Sequence, residues 1–453
     1  MFWLKICLCP SQGVEGGPLS RKFYITTPIY YPSADLHIGH AYTTVAADAL
    51  ARFHRLCGHD TFFLTGTDEH GQKIQRKAQE AGKAPKEFVD GIVAGIVRLW
   101  ERLAITYDDF IRTTEPRHTR VVQRIFQRLF EQGDIYKSQY EGWYCVDCEG
   151  FYTETQVKEF PQGRCPDHDK PLERLRVEGY FFRLSKYADR LLRHIEEHPE
   201  FIQPASRRNE MLNFIRQGLE DLSVSRTTFD WGIPVPFDPG HVIYVWVDAL
   251  TNYITAIGYE ADEPERRALF ERLWPADVHL VGKEIVRFHT IIWPIILMAA
   301  GLPLPRQVFG HGWLLFDQQK MSKSRGNVVD PNVLIDRYGS DAVRYFLLRE
   351  VSFGQDGNFS EEALIERINA DLANDLGNLL SRTTAMVERF RGGAVPEPAP
   401  GADDGVLRRA AEEAATEYGE RMERLELSDA LVAVMRLVGR ANKYIDEVAP
   451  WDL

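Results

Sequence analysis

The chain has 453 residues, room for two to four domains and an ample core. Its 44% hydrophobic and 26% charged residues are ordinary for a soluble globular protein, and no apolar run approaches the ~20 residues of a membrane span. A net charge of −12 argues against a uniformly basic nucleic-acid binder and leaves open only a local basic surface for phosphates.

Residues 1–21 read as an unstructured tail, or an artefact of start assignment. The apolar patch Met1-Phe2-Trp3-Leu4-Lys5-Ile6-Cys7 is short for a signal peptide, and Glu15 with only Arg21 argues against a mitochondrial presequence. Phe23 to Ile29 is a β-branched and aromatic run that predicts a strand. Ala41 to Leu56, apolar at Val45, Ala49, Leu50, Phe53 and Leu56, predicts a helix that Gly58 stops. Between them lies His37-Ile38-Gly39-His40. At a helix N-terminus, open N–H groups and the dipole favour a phosphate. Gly39 removes a side chain where a base or phosphate must come close, and imidazole donors can stabilise charge on a five-coordinate phosphorus.

Strand-like and helix-like patterns alternate to about residue 134, as in a doubly wound sheet. They resume near His241, with Val242 to Val247 and Val278 to Val281 as buried strands. The aromatic, proline-rich stretch between, 135–240, reads as an insertion that splits the fold. It carries Cys145-Val146-Asp147-Cys148 and Cys165-Pro166-Asp167-His168, two knuckles with two intervening residues each. Three thiolates and an imidazole suit one closed, tetrahedral, structural zinc. Six cysteines in so long a chain make no disulfide scaffold and suit a reducing cytoplasm; Cys57 reads as core, and Cys7 and Cys9 lack partners.

Lys320-Met321-Ser322-Lys323-Ser324, followed by Arg325-Gly326-Asn327, reads as a mobile basic loop. With the histidine stretch it supplies ammonium groups for a leaving pyrophosphate, and the pair describes attack on the α-phosphate of ATP. Magnesium would arrive with the nucleotide. Beyond Asp375 the chain reads as helical, with the loop from Gly392 to Gly405 joining helices of one bundle. The expected fold is therefore α/β: a Rossmann-like, doubly wound parallel sheet split by a zinc-binding insertion and followed by an all-α bundle. The expected divisions are a tail (1–21), two halves of the catalytic fold (22–134 and 241–316), the insertion (135–240), the lysine loop with a linking segment (317–374), and the bundle (375–453).

From about Phe23 to Leu453 the sequence resembles the class I aminoacyl-tRNA synthetases, and within them the methionine-specific family of bacterial type with a single zinc. The likeness is densest in Tyr24-Ile25-Thr26-Thr27-Pro28-Ile29-Tyr30-Tyr31, Phe62 to Gly71, Tyr244-Val245-Trp246-Val247-Asp248-Ala249 and Gly282 to His289. It implies a ligase that forms methionyl-adenylate and pyrophosphate from methionine and ATP, then charges the 3′ end of tRNA(Met). It makes His37, Gly39, His40, Lys320 and Lys323 catalytic, and adds Ser322, Gly282 and Glu284 to the ATP site. By the same resemblance Asp68 pairs with the α-ammonium group, with Arg226 able to approach it. Ile29, Tyr31, Trp246, Ala249, Leu250, Tyr253 and Ile285 line a methionine pocket closed by Phe288, His289 and Trp293. Leu250 departs from the proline of some relatives. Asn378 and Arg382, four apart on a helix, match anticodon readers, and Trp451 matches an aromatic on which a base stacks.

Relatives continue past Trp451 into a further helix, so the anticodon domain is expected to be C-terminally truncated, with normal activation and weak charging. A cytoplasmic monomer without membrane contact is the expectation. Sister synthetases for isoleucine, valine or leucine carry a much larger insertion than 135–240, and a small nucleotidyltransferase would need neither zinc knuckles nor a helical tail. A truncated or tRNA-binding paralogue, with activation alone or no catalysis, is the remaining alternative; a non-catalytic one predicts damage at a signature, and both are intact.

Overall fold

A computed structural model describes residues 21–451 apart from 146–149, 153–156, 159, 161–162, 167–168, 317, 321–327, 396 and 398–404. At its centre six parallel strands lie in the order Asp109–Arg112, Asp60–Thr67, Lys22–Thr26, Val278–Gly282, Val308–His311 and Ile202–Gln203. The inner strands are apolar without alternation because both faces are covered: all of Val278–Gly282 and four of the five residues of Lys22–Thr26 are buried. From Lys22–Thr26 the sheet grows one way through residues 60 and 109 and the other way through residues 278 and 308. The crevice beyond the carboxyl ends of Lys22–Thr26 and Val278–Gly282 is thus a topological switch point, the place where such sheets hold ligands.

The first expected strand ends at Thr26, three residues early, because Pro28 cannot donate to a ladder. The following helix, Ile38–Leu56, buries Ala41, Tyr42, Val45, Leu50 and Phe53 against the sheet. Asp48 on it is wholly buried, an expense met by Arg52, Arg344 and two hydrogen bonds from Thr106. Burial works against that charge, yet Arg344 and Thr106 hold the carboxyl below its ordinary range.

The strand expected over Val242 to Val247 is corrected. Pairing stops at Ile243, in a small antiparallel sheet with Ser225–Arg226 and Pro234–Val235, and Val245–Thr255 is a helix. Every residue from Val247 to Thr255 is buried, so period-2 patterning carries no information there. The N–H groups of Val247 and Asp248 both turn back to the Tyr244 carbonyl, which starts the helix.

Within 135–240, the long hairpin Ile135–Cys145 and Glu173–Phe182 anchors a four-stranded sheet, while Ile202–Gln203 joins the edge of the central sheet. Near the C-terminus a helix runs from Glu361 to Arg391 with a π-wound middle, Ile368–Gly377. Val406–Glu423 and Leu427–Val448 pack beside each other, and their Met422, Leu427 and Ala430 join the core around Phe53. Among the described residues no helix is long and apolar enough to cross a membrane.

Candidate active site

His37 is the N-cap of the helix Ile38–Leu56, and His40 is its third helical residue. The Gly39 N–H donates to His37 Nδ1 at 3.1 Å, and the His37 N–H donates to His40 Nδ1 at 3.0 Å. This is a capping box built from two imidazoles. Each Nδ1 accepts, so in the neutral rings the proton sits on Nε2, and each ring keeps an N–H donor. The expectation of open backbone donors is corrected. Ile38 N–H goes to the Val329 carbonyl at 3.0 Å, and those of His40 and Ala41 turn to the His37 carbonyl. What this terminus offers a phosphate is the dipole and the two imidazole N–H groups.

Both rings line a cavity of about 380 Å³ at the switch point. Segments after four strands converge on it: Pro28–Tyr31 after the first, Asp68 after the second, Gly282, Glu284 and Ile285 at the third, and Gly312–Leu314 after the next. At Glu284 the carboxylate accepts from Trp313 Nε1 at 2.7 Å, while Lys283 Nζ lies 3.9 Å from the Trp313 ring centroid and 2.6 Å from Asp356 Oδ2. A Cβ on Gly282 would meet Glu284 Oε2 at 2.6 Å, so glycine lets the carboxylate fold back over the strand end. His311 Nδ1 donates to the Gly312 carbonyl at 2.7 Å, so its Nε2 accepts from Thr43 Oγ1 at 2.7 Å. Burial depresses the His311 pKa, and the ring stays neutral while joining this strand end to the histidine helix.

The helix Val245–Thr255 contributes the opposite wall through Trp246, Ala249, Leu250 and Tyr253. His289 Nδ1 donates to the Ile285 carbonyl at 2.9 Å, so its Nε2 accepts from the Tyr253 hydroxyl at 2.7 Å. Burial pushes the His289 pKa down to about 4, and it pushes Tyr253 up, so both are neutral. Their polar atoms are spent on each other, which leaves the cavity mainly ring faces and edges. Sulfur packs favourably against such edges, by about 0.3–1.5 kcal/mol per contact. Phe288 stacks on Trp246 at 3.7 Å and 7°, and Trp293 is fully buried with Nε1 on His279 Nε2. Phe288 thus stands behind Trp246, and Trp293 lies beside Tyr253.

The family described as tRNA synthetases class I (M) matches residues 23–384. A methionine–tRNA ligase of Caldanaerobacter subterraneus is 64% identical over 436 residues, 96% of this chain and 67% of the relative. The chain belongs to the methionyl-tRNA synthetase family. It is thus an aminoacyl-tRNA ligase of the methionine type. The crystal structure of Mycobacterium tuberculosis methionyl-tRNA synthetase bound by methionyl-adenylate is similar at a TM-score of 0.90 and 46% identity, covering 95% of this chain and 85% of that one. The apo form of that synthetase is similar at 0.82 and 42% identity, covering 96% and 84%.

Of the residues expected from the sequence, Ile29, Tyr31, His37, Gly39, His40, Asp68, Trp246, Ala249, Leu250, Tyr253, Gly282, Glu284, Ile285 and His289 meet at this one cavity. Lys320 ends the short strand Gln319–Lys320, paired with Leu315 beyond Trp313; Ser322 and Lys323 lie outside the described residues. Arg226 is buried with its guanidinium 4.4 Å from the Tyr244 ring centroid, donating to Ser223 and to the Ser225 carbonyl. Thr43, Lys73, His311 and Trp313 also line the cavity and were missed. The signal for the last two was their position, immediately at the end of a parallel strand.

Cys145 and Cys165 are both buried, in one small cluster with Leu172 ringed by Trp143, Tyr152, Val157 and Phe160. Cys148 and His168 lie outside the described residues. Two thiols brought together from knuckles twenty residues apart, in a low-dielectric pocket, form half of a donor set that fits zinc. Asn378 and Arg382 occupy the first two turns of Asn378–Arg391; Asn378 is exposed, Arg382 pairs with Asp446, and Trp451 is 47% exposed.

Proposed function

We propose that this cavity activates methionine at the expense of ATP and then passes it to tRNA. The observation that carries the reading is the meeting of two Nε2–H imidazoles, a carboxylate at Asp68 and a neutral aromatic wall beyond one pair of strand ends. Asp68 holds the α-ammonium group. Trp246, Tyr253 and His289, with Ile29, Tyr31, Ala249 and Ile285, surround the thioether. Gly282 and Glu284 take the adenosine. The methionine carboxylate oxygen then attacks the α-phosphorus, the bond to the β-phosphate oxygen breaks, and pyrophosphate leaves. His37 and His40 donate to the non-bridging oxygens as charge gathers there, and removing one such donor typically costs about 10²–10³ in rate. Lys320, Ser322 and Lys323 bind the departing pyrophosphate. When bound with ATP, magnesium neutralises phosphate charge.

In the second step a hydroxyl of the terminal ribose of tRNA(Met) attacks the carbonyl carbon and AMP leaves. Asn378, Arg382 and Trp451 read the anticodon; breaking the Arg382–Asp446 pair would free the guanidinium for a base. Cys145, Cys148, Cys165 and His168 hold one zinc, which fixes the tip of the insertion and does no chemistry. We assign the chain to the cytoplasm, as a monomer. Exchange of pyrophosphate into ATP, measured with each of the twenty amino acids, tests the reading. Methionine should stimulate exchange well above every other amino acid; preference for valine or isoleucine, or no exchange, would overturn it.

A further inference from the structure

Beside the pocket lies a buried cluster that neither the phosphoryl chemistry nor the apolar wall employs. Asp248, wholly buried on the helix Val245–Thr255, accepts from His70 Nδ1 on Oδ2 and from His118 Nε2 on Oδ1, each at 2.7 Å. Burial disfavours the Asp248 charge, yet the two imidazoles and their hydrogen bonds hold its carboxyl below the ordinary range. An ionised carboxylate only accepts, so both rings must donate. His118 is fully buried, and its Nδ1 meets Thr255 Oγ1 at 2.8 Å. One imidazole therefore grips the pocket helix at two points seven residues apart, two turns along the same face.

The other end of the cluster is the loop that presents Asp68. That loop is pinned on both sides of His70: Glu69 by Arg112 and Thr67, and Gly71 through its N–H to the Trp231 carbonyl. The His70–Asp248 bond joins it, side chain to side chain, to the helix carrying Trp246 and Tyr253. The first of these elements carries the ammonium subsite and the second the thioether wall, in the functional reading given above, on which this inference rests. We propose that Asp248, clamped between His70 and His118, is a positioning residue that sets the span between those two subsites and so the length of amino-acid side chain accepted. A slack clamp widens the span, and a longer thioether gains relative to methionine.

The test is pyrophosphate exchange by the full chain with methionine, its one-carbon-longer analogue ethionine and the shorter S-methylcysteine. Asp248→Ala should raise KM for methionine about tenfold or more, leave KM for ATP within about twofold, and cut the methionine-over-ethionine ratio of kcat/KM at least about fivefold. His70→Ala should do the same from the better-exposed end, should Asp248→Ala fail to fold. His70→Asn and His118→Gln place an amide donor near the original Nδ1 and Nε2, and should restore discrimination to within about threefold. Equal rises in KM for both substrates, or an unchanged ratio in a folded His70→Ala chain, would overturn the proposal. Loss of exchange with methionine in the unaltered chain would instead overturn the functional reading.

Discussion

Gly39→Ala separates catalysis from folding at the histidine turn. A Cβ there would lie 2.9 Å from His37 Cε1 and 3.0 Å from Nδ1, with no backbone atom among its close contacts. The clash is relieved by turning the His37 ring, which breaks the bond from Gly39 N–H. Losing that N-cap costs about 0.5–2 kcal/mol. Replacing glycine in a helix returns roughly 0.5–1 kcal/mol, so the net change in stability should stay near 1 kcal/mol or below. The displaced ring, in contrast, no longer holds its place in the cavity lining. Loss of one aimed donor predicts a fall of about 10²–10³ in the rate of adenylate formation. Methionine-dependent pyrophosphate exchange gives the rate, and thermal melting monitors the fold. Activity within about threefold of the unaltered chain, or an activity loss explained by a collapsed melting point, would refute the reasoning.

Burial lowers the His289 pKa to about 4 in the folded chain, against its ordinary 6.5 when unfolded, so between those values the unfolded chain binds the extra proton. Stability is then full above 6.5 and lost as pH falls toward 4, by about 3 kcal/mol from this residue. Urea unfolding should show a flatter acid limb for His289→Gln; parallel curves would contradict the assignment. Trp313→Phe removes the donor to Glu284 while keeping a ring for Lys283, and should raise KM for ATP about five- to tenfold with KM for methionine within about twofold. A rise shared equally by the two substrates would count against it. Metal analysis should find about one zinc per chain, lost in Cys165→Ser; full retention in that variant would remove Cys165 from the ligand set.

The catalytic half of this chain was legible where local chemistry and chain position agree. A β-branched run and an amphipathic pattern describe a strand and a helix, with His-Ile-Gly-His at the helix start, without reference to any distant residue. The knuckle spacing likewise predicted that Cys145 and Cys165 come together, and the structure buries those two thiols in one cluster. Legibility failed where burial is complete. From Val242 to Val247 helix and strand both satisfy an unbroken apolar run, and the helix is seen only in the fold, where His118 holds its Asp248 and Thr255.

The histidine turn shows the division most clearly. Sequence determined that two imidazoles stand at a helix start; it could not reveal that the His37 ring takes the Gly39 N–H and the His40 ring the His37 N–H, because that depends on torsion angles and on Val329 arriving to take the Ile38 N–H. Sequence also supplied Asp68, Trp246, Glu284 and His289, through likeness to a family. For His311 and Trp313 it offered only their place at the end of a strand, and it gave no sign that Asp248 joins His70 to His118. Those partners lie 130 to 268 residues apart for His118 with Asp248 and for Thr43 with His311. Helix periodicity and turn chemistry act over a few residues, whereas contacts at such separations exist only once strand order has brought the chain back on itself.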